Sequence, residues 1–320
     1  MPRILKDVDH ADLLAALLET APLDAIEAEL ISQGHDLDEL RARLRGRIVI
    51  SQNEKAYEYA VRQEDVEKRE KTLIAKWVTN NFPFGDGDGI LLDAGSSCLA
   101  VWDEFSRKIG EDITHLSFWT NNFQVLKRWA SSREYAIRET QLEILGSVLD
   151  PSHQAFFGPI ARQALTPSSF RPKAVYIGCS GVVFDPNEGI LFSYHAGDRE
   201  RDFKQLLFQC SCSLRFILAT GKKVGAIGAH AFDILSIRDV SSRGPIYLVT
   251  TEPEPETREQ FEQSKAAFQK QEMAGRIRRA GLDFHWVILD SETGEQKEHL
   301  EVVAAPHGGA VTTQESLATV

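Results

Sequence analysis

Short, continuous runs of apolar residues recur along the chain from residue 88 onward. They lack the alternation of apolar and polar positions that marks a strand with one solvent-facing side. Such runs are typical of parallel strands that are covered on both faces. The pattern predicts strands at 90–92, 116–119, 142–145, 174–177, 216–219, 246–249 and 284–289.

Amphipathic stretches of helix length separate these runs and predict helices at 97–109, 122–133, 157–165, 199–213 and 255–280. A further helix is predicted at 62–80, before the first strand. The alternation of strands and helices predicts an α/β fold with a doubly wound, mainly parallel, Rossmann-like sheet. Such sheets bind their ligands at the carboxyl ends of the strands.

The N-terminal region has a different pattern, in which leucine-rich stripes at 13–18, 23–31 and 37–44 predict three short helices. The chain is therefore divided into a small helical domain at 1–60, an α/β domain at 61–290 and a flexible polar tail at 291–320. The length of 320 residues agrees with about two domains.

Composition excludes several classes of protein. Residues of the apolar set make up 42% of the chain, so it is not a disordered protein, and four cysteines do not form a disulfide scaffold. The net charge of −11 gives no basic field for nucleic acid or anionic lipid. The first residues hold no apolar signal core, and no apolar run reaches membrane-spanning length, so we expect neither a signal peptide nor a membrane span. We expect a soluble, cytoplasmic protein without a membrane partner.

Small and polar residues follow four of the predicted strands directly. The four segments are Asp93-Ala94-Gly95-Ser96-Ser97, Thr120-Asn121-Asn122, Gly146-Ser147 and Gly178-Cys179-Ser180-Gly181. Each segment alone is ordinary turn chemistry, but the carboxyl ends of neighbouring parallel strands meet at one edge of a sheet. A small-residue turn before a helix also offers N–H groups and a favourable dipole to an anion. The four segments together predict a site for an anionic small molecule.

Two lysines fit such a site, since either could supply positive charge to a phosphate. Lys204 lies early in the predicted helix at 199–213, and Lys223 lies just past the strand at 216–219. The alternative for each is an ordinary solvated lysine. If the side chains are solvated, replacing either by methionine should weaken ligand binding and leave folding nearly unchanged.

The remaining chemistry-bearing residues give weaker signals. Cys210-Ser211-Cys212 lies in a predicted helix without a second pair at ligand spacing, so we expect no metal site there. Cys98 and Cys179 lie near strand ends without an indicated His or Asp partner, so nucleophilic catalysis is not expected. His195 near Asp198 is a possible acid–base pair. The sequence predicts no cofactor.

Several motifs, taken in order, resemble a known family. The stretch from about residue 66 to 289 resembles the C-terminal effector-sensing domain of DeoR-type bacterial regulators, within the sugar-phosphate isomerase and CoA-transferase superfamily. The motifs that carry this resemblance are 87–97, 120–122, 144–147, 158–161, 187–189, 200–204 and 221–223.

The resemblance implies a domain that binds phosphorylated sugars or related metabolites through these motifs. The resulting ligand-site candidates are Asp93, Gly95, Ser96, Ser97, Thr120, Asn121, Gly146, Gly178, Gly181, Lys204 and Lys223. The chain departs from the family pattern at Ser147, at Thr220 and across 191–197. These departures indicate an altered ligand that is bulkier or nucleotide-like.

The N-terminal region departs most from the family, whose members begin with a winged helix-turn-helix. The third predicted helix opens with Asp36-Leu37-Asp38-Glu39, which would repel phosphates, although four nearby arginines partly offset this. We favour a docking or oligomerisation domain over a degenerate DNA-binding domain. A homo-oligomer is expected, and a protein partner could contact residues 1–60 or 255–280.

The leading functional hypothesis is a sensor that binds a phosphorylated small-molecule effector and signals through its N-terminal helices by a population shift. A DNA-binding transcriptional regulator would share the same sensor. An enzyme of the sugar-phosphate isomerase type is a further alternative, with Asp93, Glu200 and His195 as its visible acid–base candidates.

Overall fold

The α/β part of the chain is the part that the structure describes. The computed structural model describes residues 67–108, 115–131, 140–151, 153–158, 161, 164–165, 171–195, 197–228, 230–237 and 244–304. The predicted helical domain at 1–60 lies outside these residues, as do residues 159, 160, 162 and 163 of the helix predicted at 157–165 and the chain from 305 onward. What the sequence predicts for these residues therefore stays a prediction.

An eight-stranded sheet forms the centre of the fold. Its strands are β1 (Gly89–Leu92), β2 (Ser117–Thr120), β3 (Gln141–Ile144), β6 (Ala174–Gly178), β9 (Leu214–Ala219), β11 (Ile246–Thr251), β12 (Phe284–Leu289) and β13 (Gln296–Val302). Their order across the sheet is β13-β12-β11-β9-β6-β1-β2-β3. All neighbouring strands in it are parallel except β12 and β13, which are antiparallel. All seven predicted strands are confirmed.

Helices cover both faces of the sheet, which confirms the doubly wound fold. The helices are α1 (Lys68–Asn81), α2 (Ser96–Lys108), α3 (Phe123–Ser131), α4 (Gly197–Gln209), α5 (Arg258–Gln269) and α6 (Gln271–Arg279). One face packs against α1, α2 and α3 and buries Trp102, and the other packs against α4, α5 and α6 and buries Trp286. Burial of a Leu, Ile or Phe side chain on these faces stabilises the fold by about 1.5–3 kcal/mol.

The chain reverses its direction of travel across the sheet at β1. It goes from β1 to β2 and β3 on one side, then returns to β6 on the other side of β1 and continues through β9 and β11 to β12. A crevice opens at such a switch point, outside the carboxyl ends of the two strands that flank it. The topology therefore places a site beyond β1 and β6.

Two smaller sheets, which the sequence pattern did not predict, lie beside the main one. Strands β7 (Gly181–Asp185), β8 (Gly189–Tyr194) and β10 (His230–Asp233) form an antiparallel sheet, and β4 (Val148–Asp150) pairs with β5 (Ala155–Phe157). The residues at 191–197 that depart from the family pattern supply most of β8 and the beginning of α4.

Three predicted boundaries are wrong. The helix predicted at 255–280 is two helices, because Lys270 between them has extended backbone. The helix predicted at 199–213 ends at Gln209, so Cys210 and Cys212 follow it. The tail predicted from 291 contains β13, whose polar composition is that of an edge strand, where charged side chains discourage pairing with other chains.

The helical region at 255–280 uses its apolar side chains inside the protein. Phe261, Phe268, Met273 and Ile277 are buried against the sheet. A protein partner at this region, which stays a prediction, would meet its polar face. Within the described residues no helix has both the length and the apolar character to cross a membrane.

Candidate functional site

A cavity of about 420 Å³ opens at the switch point. Its walls come from the residues after β1, β2, β6 and β9, together with the N-terminal ends of α1, α2 and α4. The volume lies in the range of small-molecule sites, which is roughly 300–1,000 Å³. The lining includes Glu67, Lys71, Asp93, Gly95, Ser96, Ser97, Asn121, Cys179, Ser180, Glu200, Lys204, Lys222 and Lys223.

A buried ion pair between Asp93 and Lys204 lies at the centre of the cavity wall. Asp93 is 1% exposed and Lys204 is 2% exposed. The Asp93 carboxylate accepts hydrogen bonds from the Lys204 ammonium group, from the N–H of Ala94 at 2.8 Å and from the N–H of Gly178 at 3.1 Å. The ammonium group also donates to the Gly178 carbonyl at 2.7 Å. These contacts tie α4 to the ends of β1 and β6.

A second carboxylate, that of Glu200, lies 3.4 Å from the Lys204 ammonium group and lines the cavity. Burial favours the neutral form of Lys204, but the charges of Asp93 and Glu200 outweigh it and raise the pKa of the ammonium group. Lys204 is therefore charged at neutral pH. Glu200 Oε2 also accepts a hydrogen bond from the N–H of His195 at 3.0 Å, so His195 contacts Glu200 through its backbone.

The first turn of α2 supplies the N–H groups that the sequence predicted. Gly95 has a φ of 117°, in the left-handed region that favours glycine, and it turns the chain from β1 into the helix. The N–H of Leu99 bonds the Gly95 carbonyl at 3.1 Å. The amides of Ser96 and Ser97 belong to the first turn, whose N–H groups have no acceptor within a helix. This end of the cavity therefore favours an anion.

A cluster of three lysines around Glu67 forms another part of the wall. The Glu67 carboxylate pairs with Lys222, with Lys71 at 3.1 Å and with Lys223 at 3.8 Å. Burial opposes ionisation of Glu67, but the charge of Lys223 and the contacts with Lys222 and Lys71 outweigh it and lower the pKa of Glu67 to about 2. Three ammonium groups thus surround one carboxylate at the cavity.

Two polar side chains of the cavity wall lack hydrogen-bond partners among the described residues. Asn121 is fully buried, and neither the nitrogen nor the oxygen of its side-chain amide has such a partner, nor does the hydroxyl of Ser180. An unpaired buried polar group costs about 1–3 kcal/mol. Both residues line the cavity, so a bound polar molecule would give them partners.

Eight of the eleven predicted site residues line the cavity. They are Asp93, Gly95, Ser96, Ser97, Asn121, Gly178, Lys204 and Lys223. The alternative of an ordinary solvated lysine does not hold for Lys204, which is a buried ion-pair partner of Asp93.

The other three predicted residues stabilise the structure around the cavity instead of lining it. Thr120 donates its hydroxyl to the Leu92 carbonyl at 2.7 Å. Gly146, with a φ of 138°, lies where a Cβ would come within 2.7 Å of the backbone of Phe156. A Cβ at Gly181 would collide with the carbonyl oxygen of Ala226.

Glu67, Lys71 and Lys222 line the cavity but were not predicted as site residues. Glu67 and Lys71 lie one helical turn apart in a charged stretch that resembles any solvated helix start, so no local signal separates them from their neighbours. Lys222 adjoins Lys223, which was predicted. Cys179 lines the cavity, but burial raises the pKa of its thiol to about 11, which opposes formation of the nucleophilic thiolate.

The chain matches no protein-family model and no curated protein. The resemblance to DeoR-type regulators therefore remains a prediction from motifs.

Solved structures of ribose-5-phosphate isomerases match part of the chain. A D-ribose-5-phosphate isomerase in complex with phospho-erythronic acid is 15% identical with a TM-score of 0.31, over 50% of this chain and 55% of that chain. The ribose 5-phosphate isomerase A of Methanocaldococcus jannaschii is 13% identical with a TM-score of 0.33, over 49% of this chain and 55% of that chain. The ribose 5-phosphate isomerase from Plasmodium falciparum is 12% identical with a TM-score of 0.31, over 50% of this chain and 53% of that chain. The chain thus spans about half the length of each.

Proposed function

We propose that the protein binds a phosphorylated sugar or a nucleotide-like metabolite in the switch-point cavity and acts as a sensor of it. The observation that carries this proposal is the Asn121 amide, which is fully buried and unpartnered among the described residues and lines a cavity rich in cationic groups. Buried amides are normally hydrogen-bonded, so a ligand with hydroxyl or phosphate oxygens is the partner that this amide lacks.

The charges around the cavity support an anionic ligand. Lys71, Lys204, Lys222 and Lys223 outnumber the carboxylates of Glu67, Asp93 and Glu200 at the wall. The first turn of α2 adds N–H groups and a positive dipole end. A phosphate group satisfies such donors, while sugar hydroxyls suit the Asn121 amide and the Ser180 hydroxyl, which both donate and accept.

Calorimetric titration tests the proposal with ribose 5-phosphate, adenosine 5′-monophosphate, ribose and inorganic phosphate as probes. We expect a phosphorylated organic probe to bind more tightly than inorganic phosphate, and ribose to bind weakest, because both parts of the ligand contribute. If no phosphorylated probe binds at millimolar concentration, or if ribose binds as tightly as ribose 5-phosphate, the proposal is wrong.

The variant Asn121→Leu is expected to separate function from stability. It should weaken binding of the phosphorylated probe about tenfold, because one hydrogen bond of about 1–1.5 kcal/mol is lost. It should keep or raise the free energy of unfolding, because an unpaired polar group is replaced by an apolar one of similar size. Calorimetry and urea denaturation measure the two effects. A variant that is less stable and binds normally would mean that the amide serves the fold.

Sensing requires that ligand occupancy changes contacts elsewhere, and Glu67 provides a means. Its carboxylate occupies the lysine cluster that a ligand phosphate would also favour. Glu67 directly precedes α1, and the predicted N-terminal helical domain precedes it in sequence. We propose that a phosphate competes with Glu67 for these lysines, so that binding loosens the beginning of α1.

Glu67→Gln is therefore expected to tighten binding of the phosphorylated probe about tenfold, because the competing charge is removed while the side-chain shape is kept. Glu70→Gln, on the same turn of α1, is the matched control and should change affinity little. Calorimetry on both variants decides the matter. Weaker binding in Glu67→Gln would mean that Glu67 positions the lysines and does not compete with the ligand.

An isomerase-type enzyme is a second candidate, favoured by the contacts of Asp93, Lys204 and Glu200 at one wall. Moving a proton between two sugar carbons needs a positioned base. Glu200 is the more accessible carboxylate, with 16% of its side chain exposed against 1% for Asp93. The sensor proposal expects no conversion of ribose 5-phosphate to its ketose. Turnover that Glu200→Gln abolishes while binding persists would favour the enzyme.

A further inference from the structure

A second cluster of chemistry-bearing side chains lies at the other end of the sheet from the cavity. His285 is at the amino end of β12, whereas the cavity lies beyond the carboxyl ends of the parallel strands. The register of β12 and β13 places His285 opposite Glu301 and Val287 opposite His299. Directly opposed residues, and residues two apart on one strand, share a face of a sheet. His285, His299 and Glu301 therefore project from the same face.

The distances within this cluster match those between the ligands of a tetrahedral ion. Nδ1 of His285 lies 3.2 Å from Nε2 of His299 and 3.3 Å from Oε2 of Glu301. With metal bonds of 2.0–2.1 Å, two ligand atoms of a tetrahedral site are about 3.3–3.4 Å apart. The three ligand atoms all lie within 4.8 Å of one another.

A single proton on Nδ1 of His285 serves this arrangement less well than a cation would, because two acceptors share one donor or a lone pair faces the carboxylate. Nδ1 of His285 carries either a proton or a lone pair, and both other atoms face it. If it carries the proton, it can donate to Glu301 but then His299 must present a lone pair to the same N–H. If it carries the lone pair, it can accept from His299 but then repels the carboxylate. A cation between the three atoms satisfies all of the lone pairs at once.

The surroundings of the cluster orient one of its imidazoles and leave its carboxylate open to solvent. The His285 ring stacks on Tyr247 of β11 with the ring centroids 4.5 Å apart, which fixes its orientation. Glu301 is 41% exposed and His285 is 13% exposed, so an ion can enter and a water molecule can complete its coordination.

We propose that His285, His299 and Glu301 bind one divalent transition-metal ion of the zinc class. Two imidazoles and a carboxylate suit zinc and its neighbours and not magnesium or calcium, which prefer oxygen ligands. The ion would join β12 to the edge strand β13. The histidines are fourteen residues apart and meet only through strand register, so the sequence analysis, which expected no metal site, had no spacing from which to predict it.

Zinc titration of the full chain tests this proposal. The protein is stripped with a chelator and titrated with Zn²⁺ against a chromophoric zinc indicator. We expect one site, which is lost or weakened at least tenfold in His299→Ala. Even the mutation of a residue that only hydrogen-bonds to a metal ligand typically lowers metal affinity 10- to 100-fold. Glu301→Gln, which keeps the side-chain shape, should weaken the same site.

The matched control is His230→Ala, which removes an exposed histidine on β10, outside the cluster. It should bind Zn²⁺ as the unchanged protein does. A second readout is the melting temperature, which Zn²⁺ should raise in the unchanged protein and in His230→Ala but not in His299→Ala. If the unchanged protein binds no Zn²⁺, or if His299→Ala and Glu301→Gln bind it as tightly as the control, the proposal is wrong.

Discussion

Replacing Lys204 by methionine is expected to lower the free energy of unfolding by about 3–5 kcal/mol, the usual cost of removing one partner of a buried ion pair. The Asp93 carboxylate would stay almost fully buried and keep only two of its hydrogen bonds, from the N–H groups of Ala94 and Gly178. Urea denaturation at pH 7.5 measures the change. Lys76→Met, an exposed lysine on α1, is the control and should change stability by less than about 0.5 kcal/mol.

The double variant Asp93→Asn, Lys204→Met identifies the cause of this loss. If the loss comes from the uncompensated carboxylate, removing that charge should restore at least half of it, because buried pairs are replaceable by neutral groups. Equal losses in the single and double variants would instead indicate that the Lys204 side chain stabilises α4 by packing.

The effect of pH on the stability of the Lys204→Met variant follows from the upward shift of the pKa of Asp93. Burial raises the pKa of Asp93 even with Lys204 present, and removing the lysine raises it further. A carboxyl group whose pKa is higher in the folded state than in the unfolded state favours folding below its unfolded pKa, and this contribution is lost as pH rises through its folded pKa. The stability deficit of Lys204→Met should therefore shrink as pH falls from 7.5 toward 5.

Most of the sheet could be predicted because its strands are buried on both faces. A run such as Ala174–Gly178 is apolar throughout, which leaves few alternatives to a central parallel strand. The edge strand β13 escaped prediction for the opposite reason: its sequence, Gln296–Val302, is mostly polar and exposed, and only its pairing with β12 makes it a strand. The local sequence shows which strands are buried, because buried strands are apolar. Whether a polar segment pairs at the edge of a sheet depends on tertiary structure, which the local sequence does not show.

Most of the cavity residues that could be predicted lie at or just after strand ends. Asp93 and Asn121 follow strands directly, so the topology of a parallel sheet brings them together. Glu67 enters the same cavity from α1, which packs across the sheet and whose place the sequence does not reveal. The burial of Lys204 was equally hidden, since its pairing with Asp93 joins residues 111 positions apart.

Lys223 is the lysine whose loss should weaken the binding of a phosphorylated ligand most cleanly. It lies in the single turn Gly221–Lys223 after β9, lines the cavity and keeps 18% of its side chain exposed, so a ligand can reach its ammonium group. Its 3.8 Å contact with Glu67 is the longest of the three lysine contacts there. Because Lys71 and Lys222 still compensate Glu67, the variant Lys223→Met should fold with nearly unchanged stability.

The expected loss of affinity in Lys223→Met is about 10- to 150-fold, since a charge-assisted hydrogen bond contributes roughly 1.5–3 kcal/mol. Calorimetry with ribose 5-phosphate measures it, and Lys76→Met again serves as the control that changes total charge without touching the cavity. The same titration at higher salt should show a smaller difference between variant and control, because a partly exposed charge is screened. Unchanged affinity in Lys223→Met, together with a loss in Asn121→Leu, would place the phosphate at the first turn of α2 and not at the lysine cluster.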